Sequence, residues 1–209
     1  MRSLAALLVS IPLAAAAQYQ PGYAPPPPDG YGAAYGPRRN PIYFAVGLGT
    51  GAGAYVWNGV TETFLDWNYD PPRASASGSL NLQVGATLSD RLLVGFDYTL
   101  VGVASSDAGF STGVYLHETD AMLTWFPQGE GFYLRGGGGL SYVTFVDDRY
   151  PDSSQTYGGV NAKVGIGYAL WLGRSLNLTF GLDASGQRYS GSGPSSSRAL
   201  ALDVGLAWY

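Results

Sequence analysis

Seven charged residues stand at alternate positions of otherwise apolar segments: Asp97, Glu118, Asp120, Arg135, Lys163, Asp183 and Asp203. Each shares its phase with Gly, Thr, Asn or Gln, while the opposite phase carries Leu, Val, Ile and aromatic residues. A period of two places the two sets on opposite faces of a strand. Charges on an enclosed face must be paired or each costs several kcal/mol. Ion pairing is therefore the plainest chemistry open to them, and a gated polar plug or a path for protons or ions is the more elaborate one. Arg135 and Lys163 are the cations of this face, and the five acids outnumber them, which calls for water or for protonated carboxyls. Arg135 is expected to bridge Glu118 or Asp120 on the preceding strand.

Other groups offer less. His117 is the single histidine, and Glu118 follows it directly. Neighbours on a strand point to opposite faces, so the two do not form a base and its orienting acid. No serine stands two positions from His117 to act as nucleophile, and His117 reads as an exposed rim residue. Asp147, Asp148 and Asp152, and separately Glu62, Asp66 and Asp70, are loop acids without the spacing of a calcium loop. Gly47-Leu48-Gly49-Thr50-Gly51 lacks the lysine and following helix of a phosphate-binding loop. No catalytic residue, metal site or cofactor is expected.

The elements that must position the seven charges are strands. Ile42, Phe44, Val46 and Leu48 alternate with Tyr43, Ala45, Gly47 and Gly49. The same outward apolar phase runs through Ser77 to Leu88, Leu92 to Leu100, a strand ending at Trp125, Phe132 to Tyr142, Tyr157 to Trp171, a strand opening at Leu176, and Leu200 to Trp208. The count is eight. Longer connections follow the odd strands and tight turns follow the even ones, at Ser89-Asp90-Arg91, Pro127 to Glu130 and Gly173-Arg174. The pattern predicts an all-β, closed, antiparallel up-and-down transmembrane β-barrel of eight strands, apolar outside and polar inside. Aromatic residues fall into two belts, as membrane interfaces favour. Trp125, Phe126, Phe132, Tyr133, Tyr168, Trp171, Trp208 and Tyr209 lie at the turn end, and Tyr98, Tyr115, Tyr142 and Tyr157 at the other.

Composition agrees. Charged residues make up only 12% of the chain, less than a water-facing surface needs. A net charge of −4 disfavours nucleic acid as a partner. Glycine, at 31 residues, gathers within the strands, where it suits a crowded inner wall. Residues 1–17 read as a signal peptide: Arg2, an apolar run from Leu4 to Leu13, then Ala15-Ala16-Ala17 before Gln18. Residues 18–41 form a Pro/Gly/Tyr-rich tract without hydrophobic period, expected to be a disordered periplasmic tail. The absence of cysteine excludes both disulfides and an amino-terminal lipid anchor.

Over residues 42–209 this arrangement resembles the small outer-membrane β-barrel superfamily, to which the OmpA and OmpX transmembrane domains belong. The aromatic ending Ala207-Trp208-Tyr209 is similar to the carboxy-terminal signal read by the barrel assembly machinery, which makes Leu206, Trp208 and Tyr209 the expected assembly signal. Trp208 continues the apolar phase, whereas Tyr209 falls on the opposite face. The resemblance implies a location in the bacterial outer membrane, with membrane lipid and the assembly machinery as partners. Some barrels of this class modify lipid with a His, a Ser and an acid, a set this chain does not offer.

The expected role is structural, or interaction at the cell surface through exposed loops. Trp57, Phe64 and Trp67 are the candidate contact residues, because exposed apolar clusters mark interaction sites. Collapse of that loop onto itself is the favoured reading. A narrow pore or carrier for a small apolar solute, or a lipid-modifying enzyme, are the alternatives. A soluble lipocalin-like barrel would need the reverse phase.

Overall fold

The computed structural model describes residues 39–64, 75–107, 110–148 and 154–209. The leader at 1–17, nearly all of the tail at 18–41, and Trp67 lie outside them. Nine strands follow in order: β1 (Ile42–Trp57), β2 (Val60–Thr63), β3 (Ser75–Ser89), β4 (Leu92–Asp107), β5 (Phe110–Trp125), β6 (Gly131–Asp147), β7 (Gln155–Trp171), β8 (Leu176–Tyr189) and β9 (Ser196–Trp208). β1 and β3 to β9 pair antiparallel with their chain neighbours, and a β1–β9 ladder from Phe44↔Trp208 to Val56↔Ser196 closes the ring. The result is the expected eight-stave barrel. Closure gives every stave a ladder on both edges, which a hydrocarbon surrounding demands of strands.

β2 is an addition. Asn58 and Gly59 both take positive φ, at 51° and 82°, and fold β1 back on β2. An Asn-Gly pair favours this mirror-image turn because its twist matches that of the strands it joins. The described part of the expected long loop from Ala52 onward, to Phe64, is therefore strand and hairpin. β4 likewise reaches to Asp107 and β5 begins at Phe110, both within the loop expected at Gly102 to Thr112.

The outward phase is as expected: Ile42, Phe44 and Leu48 on β1, Val164, Ile166 and Tyr168 on β7, and Leu200, Leu202 and Val204 on β9 are all exposed. The outward run from Leu200 to Trp208 spans roughly 26 Å along the strand at about 3.3 Å per residue, close to the height of a membrane barrel's apolar band. The interior is layered rather than uniformly polar. Near the short turns, Tyr43, Leu93, Phe126, Tyr133 and Tyr209 form one apolar cluster, with Trp171 packed against it. Near the loops, Tyr55, Phe64, Val101, Val114, Leu116, Val143 and Phe145 form another. Between them lies the polar layer.

This layering corrects the belt reading. Phe126, Tyr133 and Tyr209 turn inward at the turn end, where a ring of small barrel cross-section fills space, and Tyr157 packs against the inner cluster at the loop end. Trp125, Phe132, Tyr168 and Trp208 face outward. Contacts with the barrel also extend before Ile42: the Pro41 carbonyl accepts from the Thr87 amide, and the Arg39 guanidinium sits 3.7 Å from the Phe126 ring centre.

Candidate functional site

All seven charges expected on the inner face are buried there. Their partners follow from ladder register and from inward glycines. Arg135, Gly165 and Asp183 occupy one row across β6, β7 and β8. Gly165 has no side chain to stand between its neighbours, so Arg135 reaches across it. Its Nε donates to Asp183 Oδ1 at 2.7 Å, and its Nη2 donates to Asp183 Oδ2, the two-pronged geometry that guanidinium and carboxylate favour. A Cβ built on Gly165 would strike Asp183 Oδ1. Asp120, Gly139 and Asn161 repeat the device across β5, β6 and β7, and Asn161 Nδ2 donates to Asp120 Oδ1 at 2.6 Å across the glycine.

Lys163 lies opposite Gly137, another inward glycine. Its Nζ passes over that gap to Asp120 at 2.7 Å and Glu118 at 2.9 Å, with Thr99 Oγ1 at 2.8 Å and Asp97 at 3.8 Å. Asp97 ties the two halves together. It accepts from Arg135 Nη1 at 2.9 Å, from Asn81 Nδ2 at 2.7 Å and from Thr99 Oγ1 at 2.9 Å. Asp97 and Asp120 face each other across the β4–β5 ladder, a repulsive placement for two acids unless a cation lies between them. Lys163 is that cation. Glu118 also accepts from Gln187 Nε2, and Asp203 accepts from Ser79 Oγ.

The expected Arg135 bridge to Glu118 or Asp120 is wrong. Arg135 stands opposite Thr124 on β5, and Asp120 pairs four residues further along that strand, opposite Gly139. Lys163 takes those two acids, and Arg135 takes Asp97 and Asp183. Asn81, Thr99, Asn161 and Gln187 bracket these charges; Asn81 and Asn161 were expected to face inward, whereas Thr99 and Gln187 were not singled out. Their inward phase was available to find them.

His117 is not a rim residue. It stands well inside β5, half-buried on the outward side, with Nδ1 2.8 Å from the Tyr98 hydroxyl. Glu118 points the other way, to Lys163, so the two form no catalytic couple.

The loop candidates separate. Phe64 is only 1% exposed: its ring stacks on Tyr55 in the notch left by Gly53, and its amide donates to the Gly53 carbonyl. Trp57 is half-buried against Phe145 and Tyr157. This part of the loop has collapsed into the barrel mouth, where apolar rings gain more from packing than from water. At the carboxyl end, Trp208 stacks outward on Phe44 at 5.9 Å and Leu206 pairs with Val46. Tyr209 is buried between Tyr43 and Trp171.

No protein-family model matches the chain, and no curated protein matches it in sequence. Solved structures do match. The crystal structure of Neisserial surface protein A aligns with a TM-score of 0.52 at 12% identity, covering 81% of this chain and 97% of that one. Ail, the attachment invasion locus protein of Yersinia pestis, in complex with the heparin analogue sucrose octasulfate, aligns with a TM-score of 0.50 at 12% identity, covering 81% of this chain and all of that one. The fold is that of the small eight-stranded outer-membrane barrels. At such low identity the likeness carries architecture alone. In this outer-membrane-type barrel six of the seven charges form a cross-braced layer of ion pairs between two apolar clusters, with Asp203 held beside it by Ser79. Chemically, such a layer holds staves in register and leaves little room for a water column.

Proposed function

We propose that this protein is an integral barrel of the bacterial outer membrane with a structural or surface-interaction role, its lumen a fixed plug rather than a channel. In this reading residues 1–17 direct export and are cleaved, the tail and both chain ends lie in the periplasm, and the long connections face outside. Leu206, Trp208 and Tyr209 serve as the assembly signal, and lipid surrounds the band from Leu200 to Trp208. The observation that carries the reading is the stacked interior: an apolar cluster around Phe126 and Tyr133, the Arg135 and Lys163 ion pairs, and an apolar cluster around Tyr55 and Phe145. A barrel of about eight strands has an interior just wide enough for side chains. Surface loops on a rigid scaffold are where interaction functions commonly reside.

Reconstitution into planar bilayers tests this. The plugged barrel passes no sustained ion current at any applied voltage. A stable unit conductance that changes when Lys163 is replaced by Met would place a water path through the layer and refute the plug.

A further inference from the structure

One edge of β1 changes partner partway along its length. From Ile42 to Gly49 it pairs with β3, ending at Gly49↔Ser79. From Ala54 to Trp57 it pairs with β2, and the Gly53 carbonyl accepts from Phe64. Among the described residues, Thr50, Gly51 and Ala52 have ladder partners only on the other edge, at Leu202, Ala201 and Leu200 of β9. The β1–β3 seam is bridged just past its last pair by the Thr50 and Ser77 hydroxyls, 2.6 Å apart. A cavity of about 540 Å³ opens at this place. Its lining joins two sides of the wall: Ala52, Leu182, Leu200 and Leu202 from the outer face, Phe64 and Val103 from the inner cluster.

We propose that this lateral slot receives one acyl chain of a lipid from the surrounding bilayer, threaded between β1 and β3 toward Phe64 and Val103. The inference rests on the membrane placement given under the proposed function. Leu182, Leu200 and Leu202, which line the cavity from the outer face, are 43%, 53% and 56% exposed, so on that side hydrocarbon is what meets it. The volume falls in the range of small-ligand pockets, and the lining is mainly apolar, its polar side chains being the hydroxyls of Thr50, Thr63 and Ser77. Thr50 and Ala52 are the small residues of an outward phase that is otherwise built from Ile42, Phe44, Val46 and Leu48, and they leave the depression over which a chain can lie. Leu200 is the last large apolar residue of its band, which sets the slot near the boundary between hydrocarbon and headgroups. There the hydroxyl pair Thr50–Ser77 uses one hydrogen between its members and has the other to donate to an ester carbonyl. A peptide strand is a poor occupant, because among the described residues the edge without a ladder is three residues long, with β3 pairing before it and β2 after it.

The test uses the full chain folded into phosphatidylcholine vesicles that contain a trace of phosphatidylcholine with a diazirine near the end of one acyl chain. After irradiation, adducts are mapped by mass spectrometry. Lipid that merely surrounds the barrel labels outward residues; a threaded chain also labels Phe64 or Val103. Ala52→Trp, a substitution at an exposed position that fills the slot, abolishes the inner adducts, and Ala86→Trp, on the outer face of β3 away from it, preserves them. Adducts confined to outward residues, or inner adducts indifferent to Ala52→Trp, overturn the proposal. So does inner labelling by a free diazirine fatty acid added from water when the bilayer lipid gives none. Gel migration of the same unheated samples separates the two readings: loss of the folded form in all of them would count against the barrel placement, not the slot.

Discussion

Arg135→Met is the sharpest probe of the inner layer. The substitution keeps an unbranched apolar stem of similar reach and removes the guanidinium that joins Asp97 and Asp183. Both acids are almost wholly buried, so their charge finds no water when the cation is gone. Removing one partner of a buried ion pair costs about 3–5 kcal/mol. For a chain of this size each kcal/mol moves the midpoint by roughly 2–4 °C, so the folded form is expected to melt about 6–20 °C lower. The assay is the fraction of protein that still migrates as the compact form on a gel after stepwise heating in detergent.

The pairing itself is read from double substitutions. Asp183→Asn combined with Arg135→Met should cost clearly less than the sum of the two, because the neutral amide no longer needs the cation; coupling between contacting groups runs about 0.5–3 kcal/mol. Glu118→Gln combined with Arg135→Met should be close to additive, since Glu118 belongs to Lys163. An unchanged melting midpoint for Arg135→Met, or coupling to Glu118 in place of Asp183, refutes the network as described.

Further outcomes are expected from the same melting assay. Gly165→Ala should destabilise the barrel, because its Cβ would strike Asp183 Oδ1 and crowd Arg135 Cγ, whereas Gly186→Ala meets open space and should change little. Gly59→Val forces a branched residue to φ near +82° and should cost on the order of 1–3 kcal/mol, freeing the hairpin so that limited proteolysis cuts between β1 and β3. Tyr209→Ala removes a buried ring held by Tyr43 and Trp171, a loss on the order of 3 kcal/mol. Trp208→Ala should cost less, because lipid replaces part of what its outward ring touches.

The period of two made the staves and the inward charges legible. Asp97, Asp183 and Lys163 could each be assigned to a face because a strand offers only two, and the ring closed as the count required. Who pairs with whom was not legible. That depends on where Gly137, Gly139 and Gly165 fall in the ladder, since an inward glycine lets a side chain reach a partner two strands away. Strand ends were also misread for a physical reason. Near the loops the inside becomes apolar and the outside wetter, so Val101, Val103, Val114 and Leu116 face in while Tyr115, His117 and Thr119 face out. The alternation inverts its chemistry without changing its phase, which made the upper parts of β4 and β5 look like loop. Phe64 was named as a surface-contact candidate with collapse of its loop as the favoured reading, and Asn58-Gly59 marks the turn that folds it inward.

Gel migration of the outer-membrane fraction tests most directly whether the closed barrel resides in that membrane. The unheated protein, extracted in detergent, should run as a compact species distinct from the boiled chain and should stay with the membrane after washing in high salt. Identical migration before and after boiling, together with release into buffer, would contradict it.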